Sequence, residues 1–484
     1  MKKINPLIVF ALLLFFVSCG DKKNDPEHYG DADEAVDDPD EAGDLDEPDE
    51  TGDADEPVAV LWLKQWGSPA NDFSSSITVS ELSNVYVVGS TAGVFDENKK
   101  IGNTDVFIAK LDGSDGNLIW TKQTGTRAGD SASELVNDSA GNFYITGTTD
   151  GIFEGNANPG ESDPYLLKFN SDGKEEWVRQ WGTGSNDSGM SITADSEGGL
   201  YITGRTGGAF EGCENMNTEY GPVNDAFLAR FDSDGEKQWL RQWGSYDHDY
   251  GWAAASDKQD NIYVAGWTEG DFDGNENANE ECEFLKGGTC FDIFLTKFNS
   301  EGIKLWSRQW GSTRDDLCRA IATDADGNIY ITGETNGDFD GNKNAVESCG
   351  SKSVTNCKDI FLTKFNGDGV KQWSKQWGGQ INDYGTSVAV DSSGSVLVFG
   401  DTFCDEFTEN MPDTFMCDIF LAKFNSDGEE QWRKWWATFS QETSSKVVTD
   451  DSGNIYLTGG AKEGFDSGES AGGYDIFVMK LSEK

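Results

Sequence analysis

A closed all-β propeller of seven four-stranded antiparallel blades is the fold this sequence predicts, and three observations predict it. A tryptophan strand recurs, beginning at Trp62, Trp120, Trp177, Trp239, Trp306, Trp373 and Trp432, at intervals of roughly sixty residues. Each interval holds four short segments rich in Val, Ile, Thr, Tyr and Phe, divided by Gly, Asn and Asp turns. No segment carries a helical period. One such sheet has two faces to cover and cannot do so alone, whereas a ring of sheets covers each face with a neighbour.

Every copy runs in the same order. A strand such as "WVRQWG" leads through a loop ending in "ND" or "GD" to a small-residue strand such as "TSVAVD". A turn such as "DADGN" follows, then a strand "IYITG", a connection of changing length, and a strand "DIFLTKFN" closed by "SDG". With the small-residue, Tyr, Phe and Trp strands named A to D, the first strand, "VLWLKQWG", is of type D and the last, "DIFVMKLSEK", is of type C. The C-terminus therefore supplies A, B and C of the last blade and residues 60–66 supply its D. Both ends meet in one sheet, which removes two exposed edges.

Residues that recur in every blade are expected to be structural. Alternate positions of a strand share a face, so Trp177, Arg179 and Trp181 line one side of strand D, as do Trp62, Lys64, Trp66 and Trp432, Lys434, Trp436. A cation between two indoles predicts stacking. Asp105, Asp163, Asp225, Asp292, Asp359, Asp418 and Asp475 open strand C; Asp72, Asp130, Asp187, Asp249, Asp316 and Asp383 close the D–A loops. Both sets are expected to cap turns and to partner the recurring Lys or Arg.

Function is to be sought where the copies differ. In an antiparallel meander the D–A and B–C connections emerge at one end, so the long, variable loops share a face. Blades four and five carry the largest insertions, "DFDGNENANEECEFLKGGTC" and "DFDGNKNAVESCGSKSVTNC". Cys282 with Cys290, Cys349 with Cys357, and Cys404 with Cys417 each fall within one loop and are expected to form local disulfides. Cys318 stands where other copies have Ser, Ala or Gly and is expected to be a buried free thiol; Cys213 has no assigned partner. Asp271, Asp273, Asn275 and Asp338, Asp340, Asn342 alternate oxygen ligands around a glycine, which suggests calcium.

Two positions vary in chemistry from blade to blade. After the strand B glycine stand Ser90, Thr148, Arg205, Trp267, Glu334, Asp401 and Gly460; three residues past the D–A aspartate, on the strand expected to line the axis, stand Ser75, Ser133, Met190, Trp252, Arg319, Thr386 and Ser445. Blade four gathers aromatic side chains here: Tyr246, His248, Tyr250, Trp252 and Trp267. Together with Arg205, Arg319, Glu334 and Asp401 they form the candidate ligand-binding set, fit for a sugar or peptide.

Composition narrows the function classes. A formal net charge of −50 disfavours nucleic acid and anionic headgroups as partners. Of two histidines, His28 lies in an acidic stretch, so a His-based triad or zinc site has His248 alone. No catalytic set is legible. The reading is a binding or adhesion module, expected to be a monomer, whose long-loop face takes a protein or carbohydrate ligand. The alternatives are an extracytoplasmic hydrolase or lyase acting on glycans or peptides, and a scaffold in an envelope complex.

The N-terminus gives the address. Lys2 and Lys3 precede an apolar run ending at Val17 and then "FVSCG", which resembles the lipobox of bacterial lipoproteins with Phe16 where leucine is usual. That resemblance implies a signal over 1–18, lipid on Cys19, and anchoring at the outer membrane or cell surface without a span. Residues 19–57 are too acidic and too poor in large apolar side chains to fold, and form the expected tether to a propeller over 58–484. Within the propeller, "DADGNIYITGETNGDF", "DIFLTKFNSDG" and "WSRQWGS" resemble the bacterial SBBP β-propeller repeats. That resemblance implies a fold and an exported location, and no single activity.

Overall fold

The computed structural model describes residues 56–484 other than 81, 96–97, 158–159, 214–222, 276–290, 345–357, 380–381, 404–416, 437–441, 463 and 466–469. The expected signal, Cys19 and nearly all of the tether lie outside the described residues. Among the described residues no helix is long and apolar enough to cross a membrane.

The described strands form seven four-stranded antiparallel sheets, six of them running A-B-C-D in chain order over 72–124, 130–180, 187–243, 249–310, 316–377 and 383–436. The seventh joins Glu442–Thr449, Ile455–Ala461 and Asp475–Glu483 to Val58–Trp66. Ring closure therefore occurs as the strand types at the two chain ends require, with Val58 opposite Glu483 and Trp66 opposite Ile476.

Strands B and C are buried along nearly their whole length because a neighbouring blade covers each face. The core is accordingly a set of layers between blades: Ala265, Ile293 and Leu295 of blade 4 pack with Ile321, Ile329, Ile331 and Phe361 of blade 5. The strand B glycine is forced by close packing within its own blade. A Cβ on Gly333 would lie 1.9 Å from the Leu317 carbonyl oxygen and 3.0 Å from the Phe361 ring.

The recurring "SDG" turn and "W-x-R-Q-W" strand form one latch between successive blades. Arg179 of blade 2 stacks on its own Trp177, 4.8 Å from the ring centroid, and donates through Nε to the carbonyl of Gly235 in the C–D turn of blade 3, at 3.0 Å. Trp239 and Arg241 repeat the arrangement one blade further on, donating to Ser300 O at 3.2 Å and Gly302 O at 2.9 Å. The turn glycine lies against the indole face. Gly235 has φ +78°, and a Cβ there would meet the Trp177 ring at 2.9 Å. Gly198 has φ +85° in an open A–B turn, with nothing within 4 Å of a Cβ. Both Gly→Ala changes carry the left-handed backbone penalty, on the order of 1 kcal/mol. Only Gly235→Ala also breaks the latch. Urea unfolding is expected to show it roughly 1–2 kcal/mol less stable than Gly198→Ala; equal losses would mean that the turn does not couple the blades.

Where the ring closes, blade 7 has no C–D turn to receive the latch from blade 6, and ion pairs at the chain ends take its place. Lys434 pairs with Glu56 at 2.6 Å, and Lys423 with Glu483 and Asp391. The Lys484 amide donates to Pro57 O at 3.2 Å.

Three expectations are corrected. The recurring aspartates whose partners are described take neutral donors in place of the recurring cations. They are fully buried at the blade edges, where a neutral donor avoids enclosing a second charge. Gln180 Nε2 donates to Asp163 at 2.9 Å and Gln242 Nε2 to Asp225 at 2.8 Å, while Asp130 accepts from the Thr126 amide at 2.6 Å. The cation is not held between two indoles either. Arg179 stacks on Trp177, whereas Trp181 turns to Phe231 of the next blade, with 4.8 Å between ring centroids. Finally, no disulfide is present among the described residues, whose cysteines Cys213 and Cys318 are free thiols. Both members of the pairs Cys282–Cys290 and Cys349–Cys357, with Cys404 and the side chain of Cys417, lie outside the described residues. Cys318 is fully buried, as expected, and burial pushes its thiol pKa up.

Candidate functional site

Strand A of every blade carries a β-bulge at one equivalent position, which re-aims one side chain out of the ladder. The register breaks fall between Ser74 and Ser76, Ala132 and Glu134, Gly189 and Ser191, Gly251 and Ala253, Cys318 and Ala320, Gly385 and Ser387, and Ser444 and Lys446. The extra residues are Ser75, Ser133, Met190, Trp252, Arg319, Thr386 and Ser445. All seven line one cavity of about 310 Å³ at the centre of the ring. These are the axial positions that the sequence singles out by their variation.

The next residue along strand A also faces the axis, and sequence reasoning missed two of this second ring. It is Ser or Ala in blades 1, 3, 4, 5 and 6, but Glu134 in blade 2 and Lys446 in blade 7. Lys446 pairs with Glu134 past the intervening blade 1. Glu134 also accepts from Ser191 Oγ and, at 3.2 Å, from the Ile192 amide of blade 3. The signal available in the sequence was the break in an otherwise small-residue position.

Arg319 is held from two sides. Its Nε and Nη2 donate to Glu334 at 2.9 and 2.6 Å, and the guanidinium stands 5.2 Å from the Trp252 ring centroid. Glu334 is 1% exposed and takes a second cation, Lys358, at 3.3 Å. Register explains the first pair, because Leu317 lies opposite Glu334 and the bulge swings Arg319 toward it.

A second group sits at the blade 3–4 boundary. Tyr250 stacks on Trp267 at 3.6 Å, Trp267 meets Phe291 edge-on at 4.6 Å, and Arg205 stands over Tyr250 at 5.4 Å. His248 Nδ1 accepts from the Asn224 amide at 3.1 Å, which places the proton of the neutral ring on Nε2. Tyr246 is 76% exposed. Asp401 stands on the blade 6–7 boundary, where it accepts from the Ser444 amide at 2.5 Å, and burial pushes its carboxyl up to about 7. The nine candidates thus divide: Trp252, Arg319 and Glu334 build the cavity, Arg205, His248, Tyr250 and Trp267 build the aromatic group, and Tyr246 and Asp401 join neither.

The alternating Asp and Asn of the long loops form turns and ion pairs in their described parts. Asp273 and Gly274 have φ of +57° and +77°, and Asp340 and Gly341 have +53° and +82°, values fit for a primed two-residue turn. Asp273 receives Lys304 and, at 2.6 Å, Ser307 Oγ; Asp340 receives Lys371 and, at 2.5 Å, Ser374 Oγ. Asn275 and Asn342 donate back to Phe272 O and Phe339 O at 2.8 and 2.9 Å, and Asp338 caps the Asn344 amide at 3.0 Å. Among the described residues, no three His, Cys, Asp or Glu side chains gather as a metal site.

Residues 61–96, 119–154, 176–211 and 305–340 match the family described as a beta-propeller repeat, SBBP. Regulatory protein FlaEY of Caulobacter vibrioides is 25% identical over 220 residues, 43% of this chain and 22% of that protein, so the match spans about a fifth of the relative's length. The WD40 domain of Neurospora crassa Pan2 superposes with a TM-score of 0.50 at 9% identity, covering 88% of this chain and 96% of that one. A polysaccharide lyase described as an ulvan lyase of family PL25 gives 0.48 at 14% identity, over 83% and 94%. At such identities the likeness shows the fold alone. Together with the sheet topology, it defines a seven-bladed β-propeller similar to the SBBP repeat proteins.

Proposed function

We propose that the propeller is a ligand-binding module whose site is the axial cavity, reached from the face that carries the long connections. One observation carries this reading. The seven bulge residues occupy one equivalent position yet comprise three Ser, a Met, a Trp, an Arg and a Thr, all converging on one space. A ring serving only structure would repeat from blade to blade, as the latch does. The test is a glycan and peptide array probed with the folded chain. Trp252→Ala is expected to weaken binding of any ligand found, roughly tenfold or more for a contact residue, while melting near the parent temperature. Unchanged affinity in Trp252→Ala would remove the cavity from the site.

The second reading is a lyase or hydrolase acting on glycans or peptides. Asp401 supports it, since a carboxyl raised to about 7 suits general acid–base work near neutral pH. Mass spectrometry of array ligands after incubation separates the two readings: a cleaved product that Asp401→Asn no longer forms would establish turnover, and intact ligand would leave binding alone.

A further inference from the structure

Charge at the axis runs against the charge of the chain. The formal net charge of the protein is −50, yet the charged residues lining the cavity are Arg319, Lys446 and Glu134. Behind them Glu334 holds Arg319 and also takes Lys358 at 3.3 Å. The axial charge network thus has three cations against two carboxylates.

The two lining cations are presented differently, and both keep donors in hand. Arg319 spends Nε and Nη2 on Glu334 and is stacked on Trp252, so its plane is fixed before any ligand arrives. Among the described residues its Nη1 edge has no hydrogen-bond acceptor, and 30% of the side chain is exposed, against 1% for Glu334. The carboxylate is the buried support and the guanidinium is the face shown to the cavity. Lys446 pairs with Glu134 and has three donors on its ammonium. Glu134 is shared among Lys446, Ser191 Oγ and the Ile192 amide. Met190, Trp252 and Ile321 supply apolar wall between the charges.

We infer that the axial cavity selects a small organic anion: a carboxylate taken by Arg319 Nη1 and the Lys446 ammonium, on a compact body that fits the Met190 and Trp252 wall. The inference rests on the proposed binding reading and adds the chemical class of ligand. A neutral isostere would leave the fixed Arg319 edge desolvated without a partner, which is the basis of discrimination.

The experiment uses isosteric pairs, D-glucuronate against D-glucose and benzoate against benzyl alcohol, titrated calorimetrically into the folded chain. The acid of at least one pair is expected to bind about tenfold or more tightly than its neutral partner, and to weaken several-fold between about 50 and about 500 mM salt. Arg319→Gln is expected to erase the preference. Because that change leaves Glu334 to Lys358, its melting temperature is checked, and Lys446→Gln serves as the second variant. A neutral compound binding as tightly as its acid, no measurable binding of either acid, or an anion preference that survives both variants would each overturn the inference. The array and the Trp252→Ala comparison judge the binding reading separately, so a neutral ligand lost in Trp252→Ala would sink the anion class and leave the cavity standing.

Discussion

A chain beginning at residue 67 is expected to lose its cooperative thermal transition and to associate, whereas one beginning at residue 56 melts as the full-length protein does. The strand removed between them, Val58–Trp66, is the fourth strand of blade 7. Its ladder with strand C runs from Val58 opposite Glu483 to Trp66 opposite Ile476. Trp62 is 8% exposed, packs edge-on against Tyr456 and donates through Nε1 to Gly113 O at 3.2 Å, which latches blade 7 to blade 1. Gln65 donates to Asp475 at 3.3 Å and accepts from the Phe465 amide at 2.6 Å, fixing the start of the B–C connection. Loss of a buried tryptophan alone costs about 3–5 kcal/mol, a large part of the roughly 5–15 kcal/mol by which a domain is stable. The deletion also bares the edge of strand C, a template for pairing with another chain. Circular dichroism melting with light scattering makes the measurement. A monomer melting within a few degrees of the parent would show that the ring does not depend on its closing strand.

Much of this architecture was legible because propeller geometry writes itself once per blade. The strand types at the two ends fixed the closure, and the repeat phase located the seven axial residues. What stayed hidden depended on contacts between copies. Arg319 and Glu334 both stood out as departures, but only the register across strands A and B and the bulge beside it reveal that they form one pair. Glu134 and Lys446 are 312 residues apart, and only the closed ring brings them together. The aspartates were assigned to cations because charge complementarity is the first expectation from sequence. Burial reverses that choice, since at a dry blade edge glutamine and backbone amides satisfy a carboxylate without enclosing a second ion. The Asp-Gly steps of the long loops read two ways for a similar reason: a cation loop and a left-handed turn ask for the same residues, and Asp273 and Asp340 do take left-handed φ values.

Those buried aspartates make stability depend on pH in an uncommon direction. Burial, with Asp225 nearby, pushes Asp249 up from 3.8 to about 8 despite hydrogen bonds from Thr268 and Ser245. Burial and Asp187 push Asp163 up to about 6, and Asp316 is raised well above its ordinary value by burial and Asp292. An acid whose folded pKa exceeds its unfolded pKa keeps its proton longer in the native state. Its stabilising contribution is full below the unfolded value and is lost as pH rises through the folded one. For Asp249 the window runs from 3.8 to about 8. Asp324 and Asp450 are shifted downward, so their contributions fade only as pH falls below the ordinary carboxylate range. Between about pH 6 and 9 unshifted carboxylates stay ionised, and the chain has only two histidines, so the slope there reports the raised aspartates together with the cysteine thiols, of which buried Cys318 is raised and acts in the same direction. The melting temperature is expected to fall by several degrees across that interval, opposite to a protein limited by acid denaturation. Asp249→Asn, which is neutral at every pH and presents both a donor group and an acceptor as the protonated acid does, is expected to flatten the decline and to gain on the parent most at the alkaline end. Calorimetric melts at fixed ionic strength decide it: a melting temperature that climbs toward pH 9, or an Asp249→Asn profile parallel to the parent, would mean that Asp249 is ionised in the folded ring.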